Sequence, residues 1–263
     1  MPEARGGRRS ARHVARRRRR VLAAVGAAVA ITVAGCSAPV PGPPPASSGV
    51  VQHRVVPPVT LVDEQGRSVS LASLRGRAVF LVPFLTLCQE VCPMTTADTE
   101  AVWRALQSSG LERLVTVAAV TVDPGRDSPA RLAAYAHLTG AGFPMYSGTP
   151  GQLATLWSFL GVSVQQVPEG NPPGIDWMTH QPLTYDVDHS DGFVLIDASG
   201  VERFATAAMP TTCGHLAPVL RGLLDQQGIA NLTRPQGPTW DAQQALDAIG
   251  WLVHRPVPSV PCG

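Results

Sequence analysis

Ala78-Val-Phe-Leu-Val-Pro-Phe-Leu-Thr-Leu-Cys88-Gln-Glu-Val-Cys92-Pro93 is a continuous apolar run that opens into a pair of cysteines. A run of strand length with no polar alternation, Ala78 to Leu85, reads as a strand buried on both faces, the kind found in sheets covered by helices on either side. Pro83 inside it weakens the strand or marks a bulge. Pro93 suits a first helical turn, Val102, Trp103 and Leu106 supply an apolar face, and Gly110 stops the helix. Cys88 and Cys92 therefore sit where a strand turns into a helix. Four residues apart, their sulfurs share one face if the turn enters the helix, and their Cα atoms, roughly 6 Å apart, are within reach of a disulfide. One pair can thus chelate when reduced and bridge when oxidised. A helix N-terminus also lowers a thiol pKa toward about 7 or below. About a hundred residues on, Val187-Asp188-His189-Ser190 offers an imidazole. Two thiols and one imidazole form a soft donor set, better suited to Cu(I) than to Ca, Mg or Mn. Taken alone, the cysteine pair is equally a structural disulfide or two core residues, and a lone histidine is ordinarily a surface group.

Outward from this stretch the pattern alternates. Val59 to Leu71 reads as a hairpin around Asp63-Glu64-Gln65-Gly66, and Leu114 to Val122 as a second buried strand. Ser128-Pro129 caps a helix ending at Gly140, Phe143 to Tyr146 is a third short strand, and Thr149-Pro150 caps a helix to Leu160. Gly161 to Leu183 is a polar excursion, long for a compact domain. Gly192 to Asp197 and Val201 to Ala205 form a hairpin around Ser199-Gly200. Leu216, Val219, Leu220, Leu223 and Leu224 predict a helix with an inward stripe. These elements predict an α/β fold with a mixed sheet flanked by helices. Ile229 to Gly263 reads as a C-terminal extension, with Leu246, Ile249 and Val253 at helical spacing.

The N-terminus sets the compartment. Arg5, Arg8, Arg9, Arg12 and Arg16 to Arg20 precede an uncharged stretch, Val21 to Gly35, and then Cys36. This is a charged n-region, an apolar h-region too short to span a bilayer, and a processing site. Val33-Ala34-Gly35-Cys36 looks like a bacterial lipobox, with residues 1–35 a signal peptide and Cys36 the lipidated first residue; an uncleaved anchor is the alternative. Either way the domain lies outside the cytoplasm, held at the cell membrane. Removing residues 1–35 takes away nine Arg and one Glu and leaves 12 Arg against 18 acidic groups, a net charge of −6. So acidic a chain argues against nucleic acid as a partner. Residues 36–51 are rich in Pro, Ser and Ala and fit an extended tether.

Three blocks then carry a resemblance. Phe84-Leu-Thr86-Leu-Cys88-Gln-Glu-Val-Cys92-Pro93, Thr121-Val-Asp123-Pro124-Gly-Arg126-Asp127-Ser-Pro129, and Tyr185-Asp-Val-Asp188-His189-Ser190 followed by Leu195-Ile-Asp197 resemble the signature blocks of the Sco/SenC copper-chaperone family, in order and at similar separation. The resemblance covers about residues 52–228. It implies a thioredoxin-like domain in which Cys88, Cys92 and His189 bind one copper ion, with Asp188-His189-Ser190 in the place of a cis-proline loop. It implies, too, service in assembling the dinuclear copper site of a cytochrome c oxidase, whose copper-site subunit would be the partner. Where that family usually has Pro directly after the first cysteine and an acidic residue next, this chain has Gln89 and Glu90, which puts the rigidity of the loop in question.

Three functions compete. A metallochaperone passes copper by ligand exchange and turns over no substrate. A thiol-disulfide oxidoreductase would use Cys88 and Cys92 as its catalytic pair to reduce the target's cysteines; against it stand three intervening residues where dedicated redox motifs have two. A lipoprotein that only presents a binding surface would make both cysteines dispensable. Cys213 and Cys262 are expected to pair in an oxidising compartment, pinning the tail to the domain. Met178 and His180 have the chemistry of transient copper donors, although ordinary loop residues is the simpler reading.

Overall fold

The computed structural model describes residues 38–212 and 215–260. The expected signal peptide (residues 1–35), Cys36, Cys213 and Cys262 lie outside the described residues. The expected apolar run forms β4 (Ala78–Phe84), buried at every position, and it leads into a helix over Cys92–Ser109 capped by Gly110 at φ 74°. The neighbouring strand, Val115–Thr121, is likewise buried throughout. In chain order the strands are β1 (Val50–Val55), β2 (Thr60–Asp63), β3 (Ser68–Ser70), β4, β5 (Val115–Thr121), β6 (Met145–Gly148), β7 (Val164–Val167), β8 (Asp186–His189), β9 (Phe193–Ile196), β10 (Val201–Thr206), β11 (Met209–Pro210) and β12 (Thr239–Trp240). The helices are α1 (Cys92–Ser109), α2 (Pro129–Thr139), α3 (Pro150–Leu160), α4 (Pro218–Arg221), α5 (Gln226–Thr233) and α6 (Ala242–Val253).

Eight strands form one sheet in the order β1-β10-β9-β4-β5-β6-β2-β3. β4, β5 and β6 run parallel, while β9 joins β4, and β10 joins β9, in antiparallel fashion. A parallel β4-α1-β5 unit beside an antiparallel β9-β10 hairpin, ordered β5-β4-β9-β10, is the thioredoxin-like arrangement. Pro83 makes no bulge. Val122 donates to the Phe84 carbonyl, so Phe84 faces β5 and Pro83 faces the β9 side, beyond Leu81, the last residue paired there. Its missing N–H therefore breaks no ladder.

The helices start and stop where local chemistry dictates. Ser128 accepts from Arg131 N–H at the start of α2, Thr149 from Gln152 N–H at the start of α3, and each helix ends in a left-handed glycine. Asp241 and Gln244 form a reciprocal capping box on α6. Residues 229–263, set apart by sequence pattern, contribute α6 and Trp240 to the same core: Ala245, Leu246 and Ile249 are fully buried, and Trp240 packs edge-on against Phe193 and Phe80. Residues 38–48 lie against this layer and, with Trp240, Gln244 and Ala248, border a cavity of about 650 Å³.

Three expectations of local structure differ. The third strand falls at Met145–Gly148 rather than 143–146. The single helix expected from Leu216 to Leu224 is interrupted: α4 has four residues, Val219 is exposed, and only Leu220 is buried. Gly222 follows α4, and the Asp225 side chain accepts from Gly228 N–H to start α5 afresh, so a new cap competes with continuation. The excursion 161–183 contains β7, which pairs antiparallel with β8 in a separate two-stranded sheet.

Candidate functional site

β4 ends at the sheet's C-terminal edge, and Leu85, Thr86 and Leu87 carry the buried chain to Cys88. Val91, which precedes α1, makes no side-chain cap. Its role is taken by sulfur: Cys88 Sγ accepts from the N–H groups of Val91 and Cys92, both at 3.4 Å. These donors are among those a helix leaves unsatisfied at its start, and they carry the positive end of its dipole. Cys92, the first residue of α1, is wholly buried, while Cys88 is half-buried; both are free thiols.

His189 closes the group from the other end of the domain. It is the last residue of β8, and its Nε2 lies 3.6 Å from Cys92 Sγ. Its other nitrogen, Nδ1, donates to the Ser190 carbonyl at 3.1 Å. That bond orients the ring and directs Nε2 at the sulfurs, as outer-shell partners do for metal-binding imidazoles. The three residues singled out from the sequence are thus brought together across 97 positions of chain.

Electrostatics divides the thiols. The hydrogen bond from Cys92 holds the Cys88 thiol well below its usual pKa, against burial and with help from His189. Burial, then the neighbouring Cys88 sulfur, drives Cys92 well above the usual thiol range. Burial alone would lower His189, but the Cys88 sulfur and the Asp191 charge override it and push the imidazole up to about 9. Without metal the surroundings therefore favour the charged forms of Cys88 and His189 and the neutral thiol of Cys92. Glu90 is pushed up to about 7 by burial and by the charges of Cys88 and Asp225, and Asp191 up to about 6, chiefly by burial.

The middle motif block, to which the sequence assigned no separate chemistry, holds the two halves together. Asp127 is fully buried and accepts from Thr86 N–H at 3.1 Å, from the Thr86 hydroxyl at 2.5 Å and from the Thr121 hydroxyl at 2.5 Å, which fixes the approach to Cys88. Arg126 pairs with Asp123, donates to the Tyr185 carbonyl at 2.7 Å and stacks 3.8 Å over the Tyr185 ring. Tyr185 returns its hydroxyl proton to Asp123 at 3.0 Å. One short loop thus grips both the strand before the cysteines and the residue just before β8.

Gln89 answers the question of rigidity. Its Nε2 donates to the Ile175 carbonyl at 2.8 Å, and its own carbonyl accepts from Asp225 N–H at 2.9 Å. A Cβ at Gly228 would stand 2.3 Å from that carbonyl oxygen, so α5 packs there with no room to spare. The loop is braced from outside.

Among the described residues no cluster of three or more His, Cys, Asp and Glu forms a ready-made metal cage; the dithiol and imidazole touch pairwise. The donor set nonetheless fits a soft ion. With metal–sulfur and metal–nitrogen bonds of about 2.3 and 2.0 Å, donors subtending about 110–120° lie about 3.6 Å apart, which is the separation of Cys92 Sγ and His189 Nε2.

Comparison with known proteins identifies the family. The family model described as SCO1/SenC matches residues 49–217. A Stutzerimonas stutzeri protein named for copper binding is 30% identical over 176 residues, covering 67% of this chain and 80% of its own. A SCO1 protein homolog of Bacillus subtilis is 32% identical over 160 residues, covering 56% and 75%. Among solved structures, that of Bradyrhizobium japonicum ScoI with copper bound is similar at 25% identity and a TM-score of 0.48, covering 68% of this chain and 98% of the other.

Proposed function

The chain belongs to the SCO1/SenC family, and on that premise we propose that it is a copper metallochaperone, holding one Cu(I) on Cys88, Cys92 and His189 and delivering it to the dinuclear copper site of a cytochrome c oxidase. The observation that carries this is the meeting of His189 Nε2 with the buried Cys92 sulfur at 3.6 Å, beside a Cys88 sulfur already stabilised as thiolate. Uptake displaces the protons of Cys92 and His189 to solvent. Delivery is ligand exchange: incoming cysteine and histidine donors of the client replace this chain's donors one at a time, with no change in electron count. Cys88, half-buried, is the exposed end of the set; Cys92, fully buried, is the interior end.

We place the domain on the extracytoplasmic face of the cell membrane, held by lipid on Cys36. In support, the basic and apolar leader precedes a lipobox-like Val33-Ala34-Gly35-Cys36.

The test is anaerobic Cu(I) titration of the reduced full chain in detergent, with X-ray absorption to count donors. One equivalent bound by two sulfurs and one nitrogen is expected. Unchanged affinity in His189→Ala would remove the chaperone reading.

The split between the two thiols favours a second reading. Cys88 thiolate would attack a client disulfide, forming a mixed disulfide and releasing one client thiolate. Cys92, deprotonated, would then attack Cys88 Sγ, leaving a Cys88–Cys92 disulfide and a reduced client. An external thiol reductant must restore the pair. Activity that survives His189→Ala but not Cys88→Ser would select this reading over the first.

A further inference from the structure

The excursion read from the sequence as a polar insertion carries two further side chains with soft-donor chemistry, Met178 and His180. Residues 174–183 form a tight hairpin: Leu183 N–H donates to Gly174 O, Asp176 N–H to Gln181 O and His180 N–H to Asp176 O, all at 2.8–2.9 Å. Buried Asp176 sets the tip. It accepts from the N–H groups of Met178 and Thr179 and is clamped by both terminal nitrogens of Arg131 at 2.9 and 2.7 Å. The carboxylate is fully engaged, so the tip offers no hard oxygen ligand of its own from that residue.

Two side chains stand out from this rigid tip. Met178 is 48% exposed, whereas Met94 and Met145 are wholly buried and Met209 is half-buried, so Met178 is the sole exposed thioether among the described residues. His180 is exposed as well, at φ 59°, a left-handed backbone that non-glycine residues seldom adopt. The hairpin is bolted to the dithiol loop on both sides of Cys88. Trp177 Nε1 donates to Thr86 O at 2.9 Å, and Gln89 Nε2 donates to Ile175 O. The thioether and imidazole therefore share one frame with the primary sulfurs.

Resting on the chaperone reading above, we propose that Met178 and His180 are a capture station that binds Cu(I) first and hands it to Cys88 and Cys92. A thioether and an imidazole are neutral soft donors, sufficient for a weak two-coordinate Cu(I) and poorly suited to Ca or Mg. Weakness is what an entry site needs. The ion moves by ligand exchange as Cu(I) throughout, from Met178 sulfur and His180 nitrogen to the Cys88 thiolate, then to Cys92 and His189, whose protons leave to solvent.

The experiment is stopped-flow loading of the reduced full chain in detergent with Cu(I), followed by sulfur-to-copper charge-transfer absorbance. The comparison is with the double variant Met178→Leu/His180→Asn. Leucine keeps the size of methionine, and asparagine tolerates the left-handed backbone, so the hairpin is retained. Capture makes the second step intramolecular, and its loss is expected to slow loading about tenfold with the final single equivalent and its affinity unchanged. In a second arm, a Cys88→Ser/Cys92→Ser chain carrying 13C-methyl methionine is titrated with Cu(I), and the Met178 methyl resonance is expected to shift. Equal loading rates, or a Met178 resonance that stays in place, overturn this proposal alone. A wild-type chain that binds no copper at all overturns the chaperone reading and this one with it.

Discussion

Cys88 has two separable jobs. Its sulfur accepts the two N–H groups at the start of α1, where no other side chain does so, and it is also a proposed copper donor. Serine can do the first and not the second: its shorter C–O bond is matched by a shorter N–H···O distance, and it is a favoured capping residue. Cys88→Ser is expected to stay within about 0.5 kcal/mol of wild type in urea denaturation, whereas Cys88→Ala loses about 1 kcal/mol. Both should fail to retain copper. A serine variant as unstable as the alanine one would refute the capping role. Asp127 is a support of another kind, because its carboxylate takes three hydrogen bonds inside the protein. Asp127→Ala leaves Thr86 N–H and two hydroxyls without their partner and is expected to cost about 2–4 kcal/mol, read from the denaturation midpoint. The ligands themselves were legible in the sequence, since thiols and an imidazole announce their chemistry. The support from Asp127, Arg126 and Tyr185 was quoted only as motif, because its partners lie up to 62 residues away in the chain.

Among elements, those whose pattern is local were read well. β4 is an eight-residue apolar phrase that lost only its last residue to the loop, and α2 and α3 are delimited by Ser-Pro or Thr-Pro at one end and glycine at the other. Elements that depend on distant packing were not. Val-Gln-Gln-Val at 164–167 has no strand signature and becomes β7 because β8 offers it a ladder. The leucines from 216 to 224 have helical spacing, but Gly222 and the cap at Asp225 divide them, and Val219 faces solvent. The Gln89 brace belongs to this class, since nothing in its neighbours foretells Ile175 or Asp225. Gln89→Ala is expected to speed amide exchange across residues 86–92, with a global loss of about 1 kcal/mol, the worth of one side-chain hydrogen bond. Protection unchanged in that segment would show that the loop holds itself. By contrast Leu246→Ala, in the fully buried face of α6, should cost about 2–5 kcal/mol and leave loop exchange rates in their original ranking.

At the scale of the whole molecule, the sign of the buried charges sets an unusual pH profile. Asp98, on α1, is buried and raised to about 7, by burial first and with the charge of Asp241 adding to it; its carboxylate accepts the Thr212 N–H at 3.2 Å, which ties α1 to the chain leading into α4. In the unfolded chain the same group titrates near 3.8. Between these values the native state binds the proton and the unfolded state does not, so stability falls as pH rises from about 4 to about 7. Asp127, raised to about 6 by burial, slopes the same way over a narrower window. His189, raised to about 9 from 6.5, slopes the same way between about pH 6.5 and 9 in the metal-free protein, but its partner Cys88, held well below the usual thiol value of 9.0, slopes the opposite way and offsets it there. Asp176 opposes the decline at the acid end: its pairing with Arg131 overcomes burial and lowers its pKa, so its contribution is lost as pH falls below 3.8. The metal-free chain should therefore be most stable in mildly acidic solution, near pH 4–5, and weaker at pH 8. Asp98→Asn isolates the largest structural share of this slope, because the amide keeps an acceptor for Thr212 and cannot ionise. Urea midpoints of the metal-free full chain in detergent, taken from pH 4 to 8, should show Asp98→Asn close to wild type at pH 4 and more stable than it at pH 8, by at most about 4 kcal/mol. Parallel curves for the two proteins would mean that Asp98 ionises in the native state as readily as in the unfolded one, and the burial of that carboxylate would then have no energetic consequence.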